Sequence, residues 1–225
     1  MYLQSSDQAD NWPGALACLY QLVKNYEYKK KEDRAPLNDA MNLLLPMIYN
    51  IIAGMMADQS AKGTEVKKAI LKVFYALTQY ILPLDLISRD FFLNWMEILR
   101  QVVELPIPAE AVSDDIDDED KPSLIWWKQK KWALHTLTRV FERYGSPGNV
   151  SSEYKDFSEW YLKTFSSAIL TSILKILDAY RQCAANGQRV YISPRVMQLA
   201  LNYVNTGVSH ALTWKLIKPH ILVSL

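Results

Sequence analysis

Apolar residues recur every three or four positions along almost the whole chain, and no segment alternates apolar with polar residues between turn signals. Such a chain has amphipathic helices to pack and no sheet to pack them on. The first stripe runs through Trp12, Ala15, Leu16, Leu19, Tyr20, Val23 and Tyr26. After the polar break KKKEDRA, Pro36 suits the first turn of a second helix, where its missing N–H costs little. That helix is striped by Leu37, Ala40, Met41, Leu44, Leu45, Ile48, Ile52 and Met55. DQSAKG (Asp58 to Gly63) is a turn signal, followed by a third helix carrying Val66, Ile70, Val73, Phe74, Leu77 and Ile81 up to Leu82-Pro83. Ser88 suits an N-cap for a fourth, striped by Phe92, Trp95, Ile98, Leu99, Val102 and Val103 and stopped before Pro106.

The next stretch, LPIPAEAVSDDIDDEDKP (Leu105 to Pro122), holds three prolines and an acidic run, a composition too poor in apolar surface to order itself alone. A fifth helix follows with Trp127, Leu134, Leu137, Phe141 and Tyr144, closed by Gly145-Ser146-Pro147-Gly148. Phe157, Trp160, Tyr161, Phe165, Ile169, Ile173, Ile176 and Tyr180 mark a long sixth, with Ser151 or Ser152 as its cap. Val196, Leu199, Ala200 and Tyr203 mark a seventh after Pro194, and Trp214 to Leu225 an eighth. Only seven glycines leave little material for hairpins or phosphate-cradling loops.

Helix pairs expected over residues 11–58, 63–104, 124–184 and 194–225, with an acidic loop at 105–122, begin at a spacing near the ~40–47 residues of HEAT or armadillo units. The expected fold is all-α: one α-α superhelix of about four stacked pairs, because single hairpins cannot hide their apolar faces and stacking buries a continuous core. The apolar, uncapped ILVSL at the end fits a piece of a longer array. Met41 to Ala57, interrupted by Asn42, Pro46 and Asn50, falls short of the ~20 apolar residues that span a bilayer and reads as a buried helix. The polar opening MYLQSSDQADN is no secretory signal, and two distant thiols, Cys18 and Cys183, point to a reducing compartment rather than a disulfide framework.

Catalytic chemistry is not legible. His135, His210 and His220 sit on three different segments, and no H-E-x-x-H, C-x-x-C, G-x-S-x-G or P-loop string occurs. Cys183 has no flanking nucleophile signature, and DDIDDED (Asp114 to Asp120) lacks the alternating ligands and turn glycine of a calcium loop. Asn149-Val150-Ser151 matches a glycosylation sequon but fits a helix start better. The reading is a non-enzyme without cofactor or metal, and the formal net charge of +1 is no footprint of direct nucleic-acid binding.

The sharpest local feature is the carboxylate cluster Asp114, Asp115, Asp117, Asp118, Glu119 and Asp120, a negative field suited to a basic partner. Lys128, Lys130 and Lys131 follow directly, so the loop can alternatively fold back on its own helix. Trp126 and Trp132 lie off the apolar stripe. Trp126 and Lys128 therefore join the six acidic residues as candidate protein-contact positions.

WWKQKKWALHTLTRVFERYGSPGNVS (Trp126 to Ser151) closely resembles a segment of the importin-β (karyopherin-β) family, in particular its importin seven and eight branch. CLYQLVKNYEYKK (Cys18 to Lys30), KVFYALTQYILPLDLI (Lys72 to Ile87) and LNYVNTGVSHALTWKLIKPHI (Leu201 to Ile221) resemble further segments of the same receptors in the same order. The resemblance implies a stretch of a longer nuclear transport receptor with no catalysis. It also implies Ran-GTP, basic cargo such as ribosomal proteins or histones, and Phe-Gly nucleoporins as partners, no membrane, and shuttling between cytoplasm and nucleus. Family members carry an acidic loop that contacts Ran or basic cargo, and Asp114 to Asp120 resembles it in composition. The rival reading is a HEAT scaffold that assembles proteins without a transport cycle.

Overall fold

The computed structural model describes residues 11–113, 115–186 and 191–209. Asp114, His210, His220 and the expected eighth helix lie outside the described residues. Seven α-helices are present, α1 (Trp12–Asn25), α2 (Ala35–Gly54), α3 (Ala61–Thr78), α4 (Arg89–Glu104), α5 (Ile125–Tyr144), α6 (Lys155–Ala185) and α7 (Pro194–Ser209), and no strand occurs among the described residues. The fold class is therefore all-α, with packing of the HEAT-type helical-repeat kind. The chain divides into two compact units, Met1–Val102 and Val103–Leu225.

In the first unit the odd-numbered helices pack most closely: α1 lies on α3, and α2 also meets α3. Association of elements two apart in the chain is what stacked hairpins produce. α1 buries Leu16, Leu19 and Val23, whereas α3 buries Val66, Ile70, Leu71, Val73, Phe74 and Leu77, as befits a helix with neighbours on more than one side. Trp95 of α4 stacks on Phe74 with ring centroids 4.1 Å apart, and Tyr49 of α2 meets Trp95 edge-on at 5.5 Å. Ser88 caps α4 as expected, its hydroxyl accepting from the Phe91 amide at 3.2 Å.

Two cations close the connections of this unit. Buried Arg34 donates from Nε and Nη2 to the Tyr26 carbonyl at 3.1 and 3.0 Å, from Nη2 to Glu27 at 3.2 Å, and from Nη1 to Ile81 at 3.4 Å. Lys67, fully buried on α3, donates to the Asp58 carbonyl. The turn expected over Asp58 to Gly63 is shorter than its composition implies. Ser60 accepts from the Gly63 amide at 3.0 Å and starts the helix at Ala61. Gly63 belongs to that first turn, where a Cβ would collide with the Asp58 carboxylate.

In the second unit α5 packs on α7, with α6 against both. Phe141 of α5 stacks on Tyr203 of α7 at 4.5 Å, and buried Tyr161 of α6 adjoins Phe141 at 6.5 Å. α5 ends at Gly145, which has φ −78° and so is no left-handed cap. Glycine is required there because a Cβ would strike the Phe141 carbonyl and ring. Ser158 donates to the orphaned Tyr144 carbonyl at 2.5 Å. The expected cap by Ser151 or Ser152 is replaced by a 3-10 turn, Ser152–Tyr154, whose N-cap Ser151 makes no side-chain bond. No helix among the described residues is long and apolar enough to cross a membrane.

Candidate functional site

The acidic segment starts where α4 ends, and its first anchor is a lysine in the wall of the second unit. Lys130 Nζ donates to the carbonyls of Val103 at 2.6 Å and Leu105 at 2.7 Å, satisfying groups that a helix end leaves without partners. Burial pushes this ammonium down to about 8, with Glu104 opposing the shift. A 3-10 turn, Ala109–Ala111, comes next. Ala111 is buried and its carbonyl accepts from the indole Nε1 of Trp127 at 3.3 Å.

The far end is anchored by Lys121 in the turn Lys121–Ser123. Its side chain is 3% exposed, pairs with Asp118 Oδ1 at 2.7 Å and lies 5.1 Å from the Tyr191 ring centroid. Tyr191 in turn meets Trp127 edge-on at 5.5 Å. The stretch expected to be unable to order itself is thus pinned at its start by buried Lys130 and the Trp127 indole and at its far end by buried Lys121. Composition undercounted the surface available to it, because the covering residues come from α5 and from Tyr191.

Between the anchors the carboxylates are presented outward. Asp115, Asp117, Asp118, Glu119 and Asp120 are all exposed. Asp115 accepts from the Ser113 hydroxyl at 3.0 Å and Asp118 is held by Lys121. The side chains of Asp117, Glu119 and Asp120 have no ion-pair partner among the described residues. The alternative in which Lys128, Lys130 and Lys131 neutralise the run is met by neither Lys130, which faces carbonyls, nor Lys128, half-buried and without an ion pair among the described residues. Trp126 is half-buried, beside fully buried Trp127.

Beside the segment lies a groove of about 520 Å³ lined by Leu105, Ile107, Val112, Trp127, Ile176 and Tyr191. One edge is polar: Ser172 donates to Glu104 Oε1 at 2.6 Å and Lys175 pairs with the same oxygen at 3.2 Å. Burial, and then the charge of Asp118, raises the Tyr191 phenol. Its shielded hydroxyl has no hydrogen-bond partner among the described residues. Tyr191 carries no period or motif in the sequence, and only the fold brings it to Trp127. Among the described residues no three of His, Cys, Asp and Glu gather as a metal site.

Comparison with known proteins gives one consistent outcome. The chain is 52% identical over 220 residues to Importin-8 of Homo sapiens, covering 98% of this chain and 20% of that protein. It is 46% identical over 231 residues to Importin-8 of Danio rerio, covering 98% and 21%. An Importin beta-like SAD2 homolog of Arabidopsis thaliana is 31% identical over 210 residues, covering 92% and 20%. The chain spans about a fifth of the length of these relatives. No family model matches it, and no solved structure does.

Proposed function

The chain belongs to the importin-β family, and from that premise we propose that it is a cargo-binding stretch of a nuclear import receptor whose working part is the exposed acidic segment. Its relatives are importins by name, which supports a transport receptor. The finer reading is that Asp114, Asp115, Asp117, Asp118, Glu119 and Asp120 attract a basic cargo protein, such as a ribosomal protein or histone, or a basic surface of Ran-GTP. Trp126 and Lys128 border that contact. Phe-Gly nucleoporins are partners of the whole receptor, which shuttles between cytoplasm and nucleus.

The observation that carries this reading is the combination of anchored ends with the exposed carboxylates of Asp117, Glu119 and Asp120. Asp117, Glu119 and Asp120 have no ion-pair partner among the described residues, so their attraction to a basic partner is not offset by breaking internal ion pairs. Exposed charges act over a Debye length of roughly 10 Å at 0.1 M salt, so binding weakens steeply as salt rises. The test replaces the six acidic residues by Ser and Asn in the full-length receptor and titrates a basic cargo and Ran-GTP over ~0.05–0.15 M salt. Lost affinity with a flattened salt dependence is expected, and unchanged affinity for both partners refutes the role of the segment. Partner binding indifferent to the nucleotide on Ran favours a static scaffold.

A further inference from the structure

A second charged surface, of opposite sign, lies on α5 and the start of α7. Lys128, Lys131, His135 and Arg139 are spaced by three, four and four residues, which sets them along one stripe of α5. From the first turn of α7, Arg195 crosses to this stripe and brings Nη2 to 3.3 Å from His135 Nε2. With the imidazole neutral and its proton on Nδ1, Nε2 accepts from the guanidinium. The other contact of Arg195 is to Gln198 Oε1 at 2.5 Å, so its partners among the described residues are neutral acceptors and none is a carboxylate. Arg139 meets Glu142 at 3.3 Å, which closes the stripe at that end.

The same cations bear on His135. Burial first, and then the charges of Arg195, Lys131 and Arg139, push its imidazole down to about 4. Burial does most to keep this ring neutral, and the charges of Arg195, Lys131 and Arg139 add to it and favour an anion beside it. Trp132 lies beside it with ring centroids 5.7 Å apart, and Lys131 Nζ is 5.5 Å from the Trp132 centroid.

We propose that the stripe of Lys131, His135, Arg139 and Arg195 docks an acidic peptide segment of a partner protein. The guanidinium of Arg195 takes one carboxylate by paired hydrogen bonds while Lys131 and Arg139 flank it. Dimensions and charge favour a peptide over nucleic acid. Lys131 to Arg139 spans roughly 12 Å of helix at 1.5 Å per residue, which matches about four residues of an extended chain at ~3.3 Å each. Nucleic acid carries charge over a far longer track and calls for a wide basic field, whereas this stripe ends at Glu142 in a chain of net charge +1. The site is separate in residues and sign from the acidic segment and stands whether or not that segment binds cargo.

The test uses the full-length receptor and a fluorescein-labelled hexa-glutamate peptide, read by anisotropy at ~0.05 M salt, where exposed charges interact strongly. Arg195 is exposed and its removal leaves the core intact, so Arg195→Gln is expected to fold and to weaken binding about tenfold, the size of a lost charge-assisted contact. Arg195→Gln with Arg139→Gln weakens it further, Arg195→Lys restores part, and the variant lacking the six acidic residues binds at least as well as the parent. Peptide affinity unchanged in Arg195→Gln overturns the proposal. So does a hexameric single-stranded DNA that binds the same stripe more tightly than the peptide.

Discussion

The two kinds of connection in this chain differ in what they do with charge. In the first unit, the short links before α2 and before α3 are closed by Arg34 and Lys67, whose donors are turned inward onto backbone carbonyls. In the second unit, the long link between α4 and α5 uses the same device at its ends, with Lys130 on the carbonyls of Val103 and Leu105 and Lys121 against Asp118 and Tyr191. Its middle does the opposite and holds carboxylates outward. An acidic insertion is therefore not synonymous with a free tether. Apart from Asp118, which pairs with the anchor Lys121, order at its ends and charge at its centre are set by different residues and can be changed separately.

That separation is open to attack in a graded series. Arg34→Met removes the donors for three carbonyls, of which those of Tyr26 and Glu27 are held at 3.0 to 3.2 Å, and is expected to destabilise the chain by about 3 kcal/mol in urea unfolding. Lys130→Met orphans two carbonyls but also removes a buried charge, so a smaller loss of about 1–2 kcal/mol is expected. An undiminished stability there would dissolve the parallel between the two kinds of link. Lys130 also has a pH signature. Its folded pKa of about 8 lies below the roughly 10.4 of an unfolded lysine, so the unfolded state holds more protons between those values. Stability contributed by this site therefore rises as pH climbs through that window, and Lys130→Met abolishes the rise.

Smaller effects sharpen the comparison. Lys121→Gln removes the ion pair to Asp118 and the cation over the Tyr191 ring and is expected to cost about 1 kcal/mol, with faster amide exchange at Asp120 and Lys121 as the local readout. Substituting Asp117, Glu119 and Asp120 by Ser and Asn is expected to shift stability by no more than ~0.5 kcal/mol, because these exposed side chains have no ion-pair partner among the described residues. If that variant unfolds as readily as Arg34→Met, the middle of the segment carries structure after all.

Much of this was legible before any coordinates. Helix starts at Ser88 and Pro194 and the stop at Glu104 follow from local chemistry, and most positions of the expected apolar stripes are buried, whereas Ile81 lies beyond the end of α3 at Thr78 and Trp12, Tyr20, Met55, Trp160 and Ile176 are only half-buried. The acidic run was visible as charge, but its anchoring was not. Lys130 sits on the stripe defined by Trp127, Leu134, Leu137 and Phe141, and Lys67 on that of Ile70, Phe74 and Leu77. A lysine in register with core positions was a usable sign that its ammonium meets carbonyls and not solvent, yet adjacency to the acidic residues made ion pairing the more obvious thought. Tyr191 and Arg195 act through contacts more than fifty residues away in sequence, and no spacing rule reaches that far. Ser151 failed as a cap because a 3-10 turn satisfies the same amides from the backbone.

Pinning the insertion at Val103, Leu105 and Ala111 on one side and at Lys121 on the other turns the residues between into an interchangeable module. Changes at exposed Asp117, Glu119 and Asp120 leave the anchoring contacts of Lys130, Trp127 and Lys121 untouched. The charge displayed at Asp117, Glu119 and Asp120 can thus be rewritten in a few codons while the anchors around it stay in place.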